Sequence, residues 1–165
     1  MAVTRMTAIA HELLDASTLC AIATVAPGDQ AHINTAYFAW SPQLDLVWIS
    51  EPRAKHSANI RANDSAAVAI YDSSQSWGKP DRGIQLFGTA RKAEGSAADD
   101  AETVYAKRFP DYRRHDLSAY LVYLFRPRRL KMFDERTLGT GVFVTATVTA
   151  KRQLAWERTE IYHSA

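Results

Sequence analysis

The sequence predicts a mainly β fold, in which six or more short, mostly antiparallel strands and a few helices form a small closed barrel. Apolar and polar residues alternate in several short runs, as in strands with one buried face. Turn-forming residues separate the first of these runs, at 27–29 and 41–43. No repeat or linker interrupts the 165 residues, so we expect one domain over 1–165.

The first element is predicted to be an amphipathic helix with Thr4 as its N-cap. Its apolar residues recur at helical spacing and are Met6, Ile9, Ala10, Leu13 and Leu14. Three strands joined by short turns follow, at 19–25, 31–40 and 44–50. This spacing predicts an antiparallel meander.

A short basic helix after Ser50 leads into the second half of the chain. Further strands are predicted at 66–71, 83–92, 120–125, 130–133, 142–149 and 154–162. Gly88, inside one of them, indicates a bulge or a close backbone approach. Residues 96–109 have helical periodicity, with Ser96 as a candidate cap and acidic residues in the early turns.

The composition is that of an ordinary globular protein, with 47% hydrophobic and 23% charged residues. The formal charge of +2 gives no global electrostatic reason to expect a nucleic-acid partner. Cys20 is the single cysteine, which excludes an intrachain disulfide, and its apolar surroundings predict a buried residue. His11 and Glu12 interrupt any leader-like apolar run, and no run is long enough to span a bilayer. We therefore expect a cytoplasmic protein with no membrane partner.

Several common chemistries lack their motifs. The chain has no G-x-S-x-G elbow and no Walker loop, and Gly139-Thr140-Gly141 lacks the third glycine of a dinucleotide fingerprint. The five histidines are scattered, and no two stand at metal-ligand spacing. The sequence therefore assigns no catalytic residue and no metal ligand.

The most informative local pattern is the strand-to-helix corner at 44–61. An apolar strand ends on Ser50, and Arg53, Lys55 and His56 stand at the opening of the next helix. Cations are unfavourable at the positive end of a helix dipole unless an anion shares the site. This pattern predicts a phosphate-sized anion there. The alternative is an ordinary solvated helix, in which Glu51 neutralises its basic neighbours.

The order of these segments resembles the pyridoxamine 5′-phosphate oxidase-like flavin-binding split-barrel family. The resemblance covers roughly residues 19–134 and rests on the segments 19–25, 31–38, 47–50, 55–60, 83–90 and 123–127. It implies a six-stranded antiparallel split β-barrel that forms a homodimer. It also implies an oxidoreductase that acts on a small-molecule substrate, with FMN bound in clefts between the subunits.

The resemblance also implies roles for individual residues. Lys55 and Ser50 match positions that contact the cofactor phosphate, and Arg53 and His56 are adjacent candidates. Ile49 matches a position whose backbone lies near the ribityl chain or ring. His32, Asn34 and Thr35 match the strand that borders the isoalloxazine, and the weaker candidates are Gln85 and Trp77. For most of these residues an ordinary packing or strand-forming role is the alternative.

Two other cofactors remain open on this fold. The deazaflavin F420 would place its phosphate in the same corner, and its acidic tail could meet the basic residues Arg126, Arg128, Arg129 and Lys131. A protein that binds flavin or haem without turnover is the third possibility. Its axial haem ligand would be His32, His56 or His163.

The C-terminal segment departs from true pyridoxamine phosphate oxidase. That enzyme grips its substrate phosphate with an arginine-rich C-terminal motif, of which residues 156–163 contain only Trp156 and Arg158. This departure argues against vitamin B6 oxidation as the activity.

Overall fold

The computed structural model describes residues 1–113 and 119–162, which fold around one nine-stranded sheet. The helices are α1 (Val3–Asp15), α2 (Lys55–Ala62) and α3 (Ser96–Arg108). The strands are β1 (Leu19–Ala26), β2 (Gln30–Tyr37), β3 (Ala39–Trp40), β4 (Leu46–Ser50), β5 (Ser65–Tyr71), β6 (Arg82–Lys92), β7 (Leu121–Asp134), β8 (Val142–Val148) and β9 (Leu154–Ile161). The predicted mainly β class is confirmed.

All strand pairs are antiparallel, in the order β2-β1-β5-β6-β7-β4-β3. Strand β8 also pairs with β7, and β9 pairs with β8. The sheet has nine strands instead of the six expected, because the short β3 and the C-terminal β8 and β9 also pair into it. The predicted meander is wrong in its third strand, because β4 pairs with β7 and not with β2. Ile49 lies opposite Val122 in that ladder, a partner far along the chain.

The predicted strand at 31–40 is two strands, because Phe38 interrupts it. This side chain is fully buried, and its N–H donates to the carbonyl of Thr18. The next strand begins at Leu46 instead of Leu44, because Leu44 has a positive φ of 67° and closes the preceding turn onto Ser41. Both boundaries are set by tertiary burial and turn geometry.

Strand β7 runs without a break through Pro127, so the two separate strands predicted around this proline are wrong. The ladder with β6 shifts register between Phe87 and Gly88, where Gly88 faces Pro127. A proline offers no N–H to the ladder. A Cβ at Gly88 would collide with the carbonyl oxygen of Arg126. The bulge and close approach predicted at Gly88 are confirmed.

Helix α1 buries the predicted apolar face in the main core. Met6, Ile9, Ala10, Leu13 and Leu14 are all buried, and the helix packs against β5, β6, β7 and β9. The predicted cap is wrong, because the helix begins at Val3 and Thr4 already lies inside it.

Helix α3 covers the other face of β4 and β7. Its Ala101 and Tyr105 join a second buried cluster with Val47, Val122 and Leu124. Gly95, with φ of 57°, occupies the N-cap, so the cap predicted at Ser96 is wrong by one residue. Of the acidic residues predicted in the early turns, Asp99 lies in the first turn.

Cys20 lies in the core, as its apolar surroundings predict. Burial raises the pKa of its thiol to about 12, which keeps it protonated and unreactive at neutral pH. Among residues 1–113 and 119–162, no helix is both long and apolar enough to cross a bilayer.

Candidate anion-binding site

The corner between β4 and α2 presents an uncapped helix N-terminus. Ala54 occupies the N-cap and supplies no side-chain hydrogen bond, and the first turn contains no acidic residue. The first N–H groups of an α-helix have no partner within the helix. The Ser57 hydroxyl donates to the carbonyl of Glu51 at 2.9 Å and fixes the turn that leads into the helix. The backbone thus offers hydrogen-bond donors and a partial positive charge to an anion.

Ser50 and His56 form the tightest polar contact at this corner. The Ser50 Oγ lies 2.6 Å from His56 Nε2, and the Ser50 side chain is buried. Burial lowers the pKa of His56 from its ordinary value of 6.5, and the nearby His32 lowers it further. The imidazole is therefore mostly neutral at pH 7 in the free protein. The geometry ties His56 directly to Ser50, although the sequence ranked it below Lys55.

The basic side chains at the corner differ in their availability. Arg53 is 90% exposed, and its Nε pairs with Glu51 Oε1 at 2.9 Å. For this residue the alternative applies, because Glu51 neutralises its charge. Lys55 is exposed and makes no ion pair with any described residue. Lys55 is therefore a cation at the helix start without an acidic partner among the described residues.

A series of hydrogen-bonded polar side chains, two of them buried, lies beside this corner. Asn59, on α2, donates from Nδ2 to Thr24 Oγ1 at 3.0 Å, and this oxygen lies 3.4 Å from His32 Nδ1. Thr24 and Asn59 were not predicted from the sequence. A signal for them existed, because Thr24 occupies an inward position in the alternation of β1, and Asn59 directly precedes the buried Ile60.

The alternation of β2 separates the three residues predicted on it. His32 and Asn34 face inward with Thr24 and are half-buried, whereas Thr35 faces outward and is exposed. The Oδ1 of Asn34 is buried without a hydrogen-bond partner. Such an orphaned acceptor is costly unless a ligand or water meets it.

The remaining predicted residues do not converge on the corner within one chain. The Ile49 side chain packs toward the α3 cluster, so only its backbone is available to a ligand at the end of β4. Gln85 lies on the outer face of β6, where it helps line a depression of about 160 Å³. Trp77 is fully exposed in the loop between β5 and β6. Thr35 and Gln85 lie in one cross-strand row on the outer face of the sheet, through Ala21 and Ala69.

Metal chemistry has no built site in the part of the chain that the structure describes. No three His, Cys, Asp or Glu residues there are grouped so that they could hold an ion. The candidate haem ligand His163 lies outside the described residues. No carboxylate in the described segments hydrogen-bonds to His56, so the Ser50–His56 pair lacks the third member of a nucleophilic triad.

The sequence profile of the pyridoxamine 5′-phosphate oxidase family matches residues 6–134. The chain belongs to this family. The match includes the whole corner and ends at the last residue of β7, so β8 and β9 lie beyond it. A curated relative, UPF0306 protein YhbP from Escherichia coli O157:H7, is 31% identical over 108 residues, which are 66% of this chain and 70% of that protein.

Two solved structures of low sequence identity share the fold. A haem-binding protein from Mycobacterium smegmatis aligns with a TM-score of 0.67 at 18% identity, over 89% of this chain. The chain spans only 58% of the length of that protein. An FAD-binding protein from Mesorhizobium loti aligns with a TM-score of 0.57 at 16% identity, over 75% of this chain and 91% of that one.

The corner and the inward face of β2 together offer groups that fit the phosphate and polar atoms of a flavin nucleotide. Lys55 and the free N–H groups of α2 would hold a phosphate, and the orphaned Asn34 Oδ1 would accept a hydrogen bond from the ligand. The C-terminal segment differs from a phosphate grip. Arg158 pairs with Glu157 at 2.9 Å and with Glu160 at 3.5 Å, so its charge is already neutralised.

Proposed function

We propose that the protein is a cytoplasmic flavin-dependent oxidoreductase that binds FMN, with its phosphate at the corner formed by Ser50, Lys55 and His56. The observation that carries the proposal is the uncapped start of α2, where Lys55 has no acidic partner among the described residues. Membership of the pyridoxamine 5′-phosphate oxidase family supports a flavin as the phosphate-bearing group.

Different groups at the corner would contribute different interactions with the FMN phosphate. Lys55 supplies charge, the N–H groups of α2 supply directed donors, and the Ser50–His56 pair supplies a hydroxyl and an imidazole beside the phosphate. His32 and Asn34 lie half-buried on the same face of the sheet as Thr24 and would border the ring system. A bound flavin supplies hydride chemistry, while the protein binds it and tunes the ring.

Comparison of FMN with riboflavin tests the phosphate site, because the two ligands differ only in the phosphate. Lys55→Ala should weaken FMN binding about tenfold to a hundredfold, the usual loss for a charge-assisted hydrogen bond. Riboflavin binding should be unchanged. Lys151→Ala is the matched control, since this exposed lysine lies in the turn between β8 and β9. Equal losses for both ligands, or no loss for either, would show that Lys55 does not hold the phosphate.

The outer face of the sheet supports a homodimer, which the proposed flavin cleft requires. The apolar part of this face consists of Ala21, Ala23, Ile33, Ala67, Ala69 and Phe87. Its side chains are small except for Ile33, which is 68% exposed, and Phe87. An exposed apolar patch of this kind is typical of a protein interface. Thr35 and Gln85 lie on the same side of the sheet and would reach the flavin only across such a dimer.

Sedimentation of the purified protein tests the dimer, with Ile33→Glu as the variant. We expect a dimer for the natural chain and a monomer with weakened FMN binding for Ile33→Glu. A natural chain that sediments as a monomer with FMN bound would contradict the interface.

The basic residues on β7 favour FMN over the deazaflavin F420. Arg126 Nη2 lies 3.5 Å from Asp45 Oδ2, and Lys131 Nζ lies 3.2 Å from Glu160 Oε2. Two of the four candidate partners for the acidic tail of F420 therefore already have a carboxylate partner. Competitive titration separates the two cofactors. Tighter binding of F420 than of FMN would replace FMN in the proposal.

Turnover requires an electron donor. NAD(P)H added without oxygen to the FMN-loaded protein should bleach the flavin if the protein is an oxidoreductase. A flavin that stays oxidised with NADH and NADPH, yet is reduced by dithionite, would instead indicate a flavin carrier.

A haem-binding protein is the second candidate function, favoured by His56 at the corner and His32 on the neighbouring β2. His32 and His56 lie close enough for His32 to lower the pKa of His56, and a mostly neutral imidazole is the form that ligates iron. A Soret band on haem addition, lost in His32→Ala or His56→Ala, would support this candidate. Haem that leaves FMN binding undisturbed and shows no shifted Soret band would exclude it.

A further inference from the structure

Three polar side chains from three elements form a series that leads to His32. The Asn59 side chain on α2 is 1% exposed and donates from Nδ2 to Thr24 Oγ1 at 3.0 Å. Thr24 on β1 is also buried, and its Oγ1 lies 3.4 Å from Nδ1 of His32 on β2. His32 is half-buried, and its Nε2 has no hydrogen-bond partner among the described residues.

The direction of the hydrogen bonds in this series follows from the chemistry of its first member. An amide nitrogen can only donate, so Asn59 occupies a lone pair of the Thr24 oxygen. The threonine proton then needs an acceptor, and the described hydrogen bonds offer it only His32 Nδ1. A His32 ring protonated at Nδ1 would leave the buried threonine proton without a partner, which is costly.

We propose that Asn59 and Thr24 are positioning residues that hold His32 as its Nε2–H tautomer and thereby give the site a neutral hydrogen-bond donor. The Nδ1 atom accepts from Thr24, so the single ring proton is on Nε2. The part of this inference that concerns the ligand rests on the proposed cofactor site. The tautomer itself is a property of the free protein.

This tautomer selects the class of ligand atom that His32 can meet. An N–H at Nε2 pairs with an acceptor, such as a ring carbonyl or a ring nitrogen of a flavin. Iron coordination at the same nitrogen requires it to be unprotonated, and the ring proton would have to move to Nδ1. That move would leave the Thr24 proton unpaired, so the series favours a hydrogen-bonded organic ligand over a haem at His32.

Nitrogen NMR of the full chain tests the tautomer directly, without any cofactor. In protein labelled with ¹⁵N-histidine and held at a pH where the imidazoles are neutral, His32 should show a protonated Nε2 and an unprotonated Nδ1. His32→Gln assigns its signals. A protonated Nδ1 of His32 in the natural chain would overturn the proposal.

Variants of Thr24 test the cause of the tautomer. Thr24→Val removes the hydroxyl at nearly constant shape, so the His32 signals should shift toward a mixture of the two tautomers. FMN binding should weaken about threefold to tenfold, as expected for one neutral hydrogen bond. Thr24→Ser should restore both readouts. A Thr24→Val protein that folds and keeps a pure Nε2–H signal would also overturn the proposal. If FMN does not bind at all, the NMR result still stands, so the two proposals fail separately.

Discussion

Protonation of His56 should couple FMN binding to pH. In the free protein, burial and the nearby His32 hold the pKa of this imidazole below 6.5. A phosphate dianion beside the ring favours the protonated form, so the pKa of His56 should rise when FMN binds. Binding then takes up a proton, and FMN affinity should increase as the pH falls through the bound-state pKa.

The size of this coupling follows from the position of the ring. An opposite charge within about 4–6 Å shifts a pKa by about 1–3 units. The His56 ring is half-buried beside a solvent-facing corner, so we expect the lower end, about one unit. One unit corresponds to about 1.4 kcal/mol, or a tenfold change in affinity. The gain in FMN affinity is absent at a pH where His56 is neutral in both the free and the FMN-bound protein. It is complete at a pH where His56 is protonated in both.

Fluorescence titration of FMN between about pH 8 and about pH 6.5 detects the onset of the coupling, because a phosphate monoester with a second pKa near 6 stays mostly dianionic there. The free-state pKa of His56 lies below this window, so FMN affinity should rise toward about pH 6.5 by only part of the tenfold limit. Riboflavin, which lacks the phosphate, should bind equally across this range. The variant His56→Gln should lose the pH dependence of FMN binding. FMN affinity that falls with decreasing pH in the natural chain, or an unchanged slope in His56→Gln, would refute the reasoning.

Three further predictions concern stability and reactivity. Leu13→Ala removes a fully buried side chain of α1 and should lower the free energy of unfolding by about 2–5 kcal/mol in urea titrations; a loss below 1 kcal/mol would contradict its place in the core. Gly88→Ala should destabilise the fold by about 1–3 kcal/mol, because the added methyl meets backbone; thermal melting at an unchanged temperature would count against the bulge. Cys20 should resist thiol reagents at pH 8 until the protein is unfolded, since its pKa is about 12; rapid labelling of native protein would contradict its burial.

Local pattern predicted most of the elements because their signals lie within a few residues of one another. The apolar spacing of α1 and the alternation of β1 each reflect one buried face, and both elements have that face buried in the structure. The partner of β4 could not be found in this way. Its ladder joins Ile49 to Val122, and short connecting turns favoured pairing with the preceding strand instead. The predicted N-caps of α1 and α3 were wrong because the residues at these positions, Ala2 and Gly95, make no side-chain hydrogen bond that a sequence pattern could indicate.

The residues of the candidate site also differ in whether the sequence alone could bring them together. The corner at Ser50, Lys55 and His56 is contiguous in sequence, so its residues could be recognised together before any fold was known. Thr24 and Asn59 are 35 residues apart and meet only after β1 and α2 pack, so no local pattern in the sequence predicts their contact. The family resemblance groups Thr35 with Asn34, although the alternation of β2 places the two on opposite faces.

The visible spectrum of the protein as purified, with mass identification of any released chromophore, tests the central claim most directly. The proposed function predicts the two absorption bands of an oxidised flavin and a released molecule with the mass of FMN. Protein that emerges colourless should gain those bands in stoichiometric amount when FMN is added. A protein that takes up no FMN, or that emerges with a Soret band and no flavin, would contradict the claim.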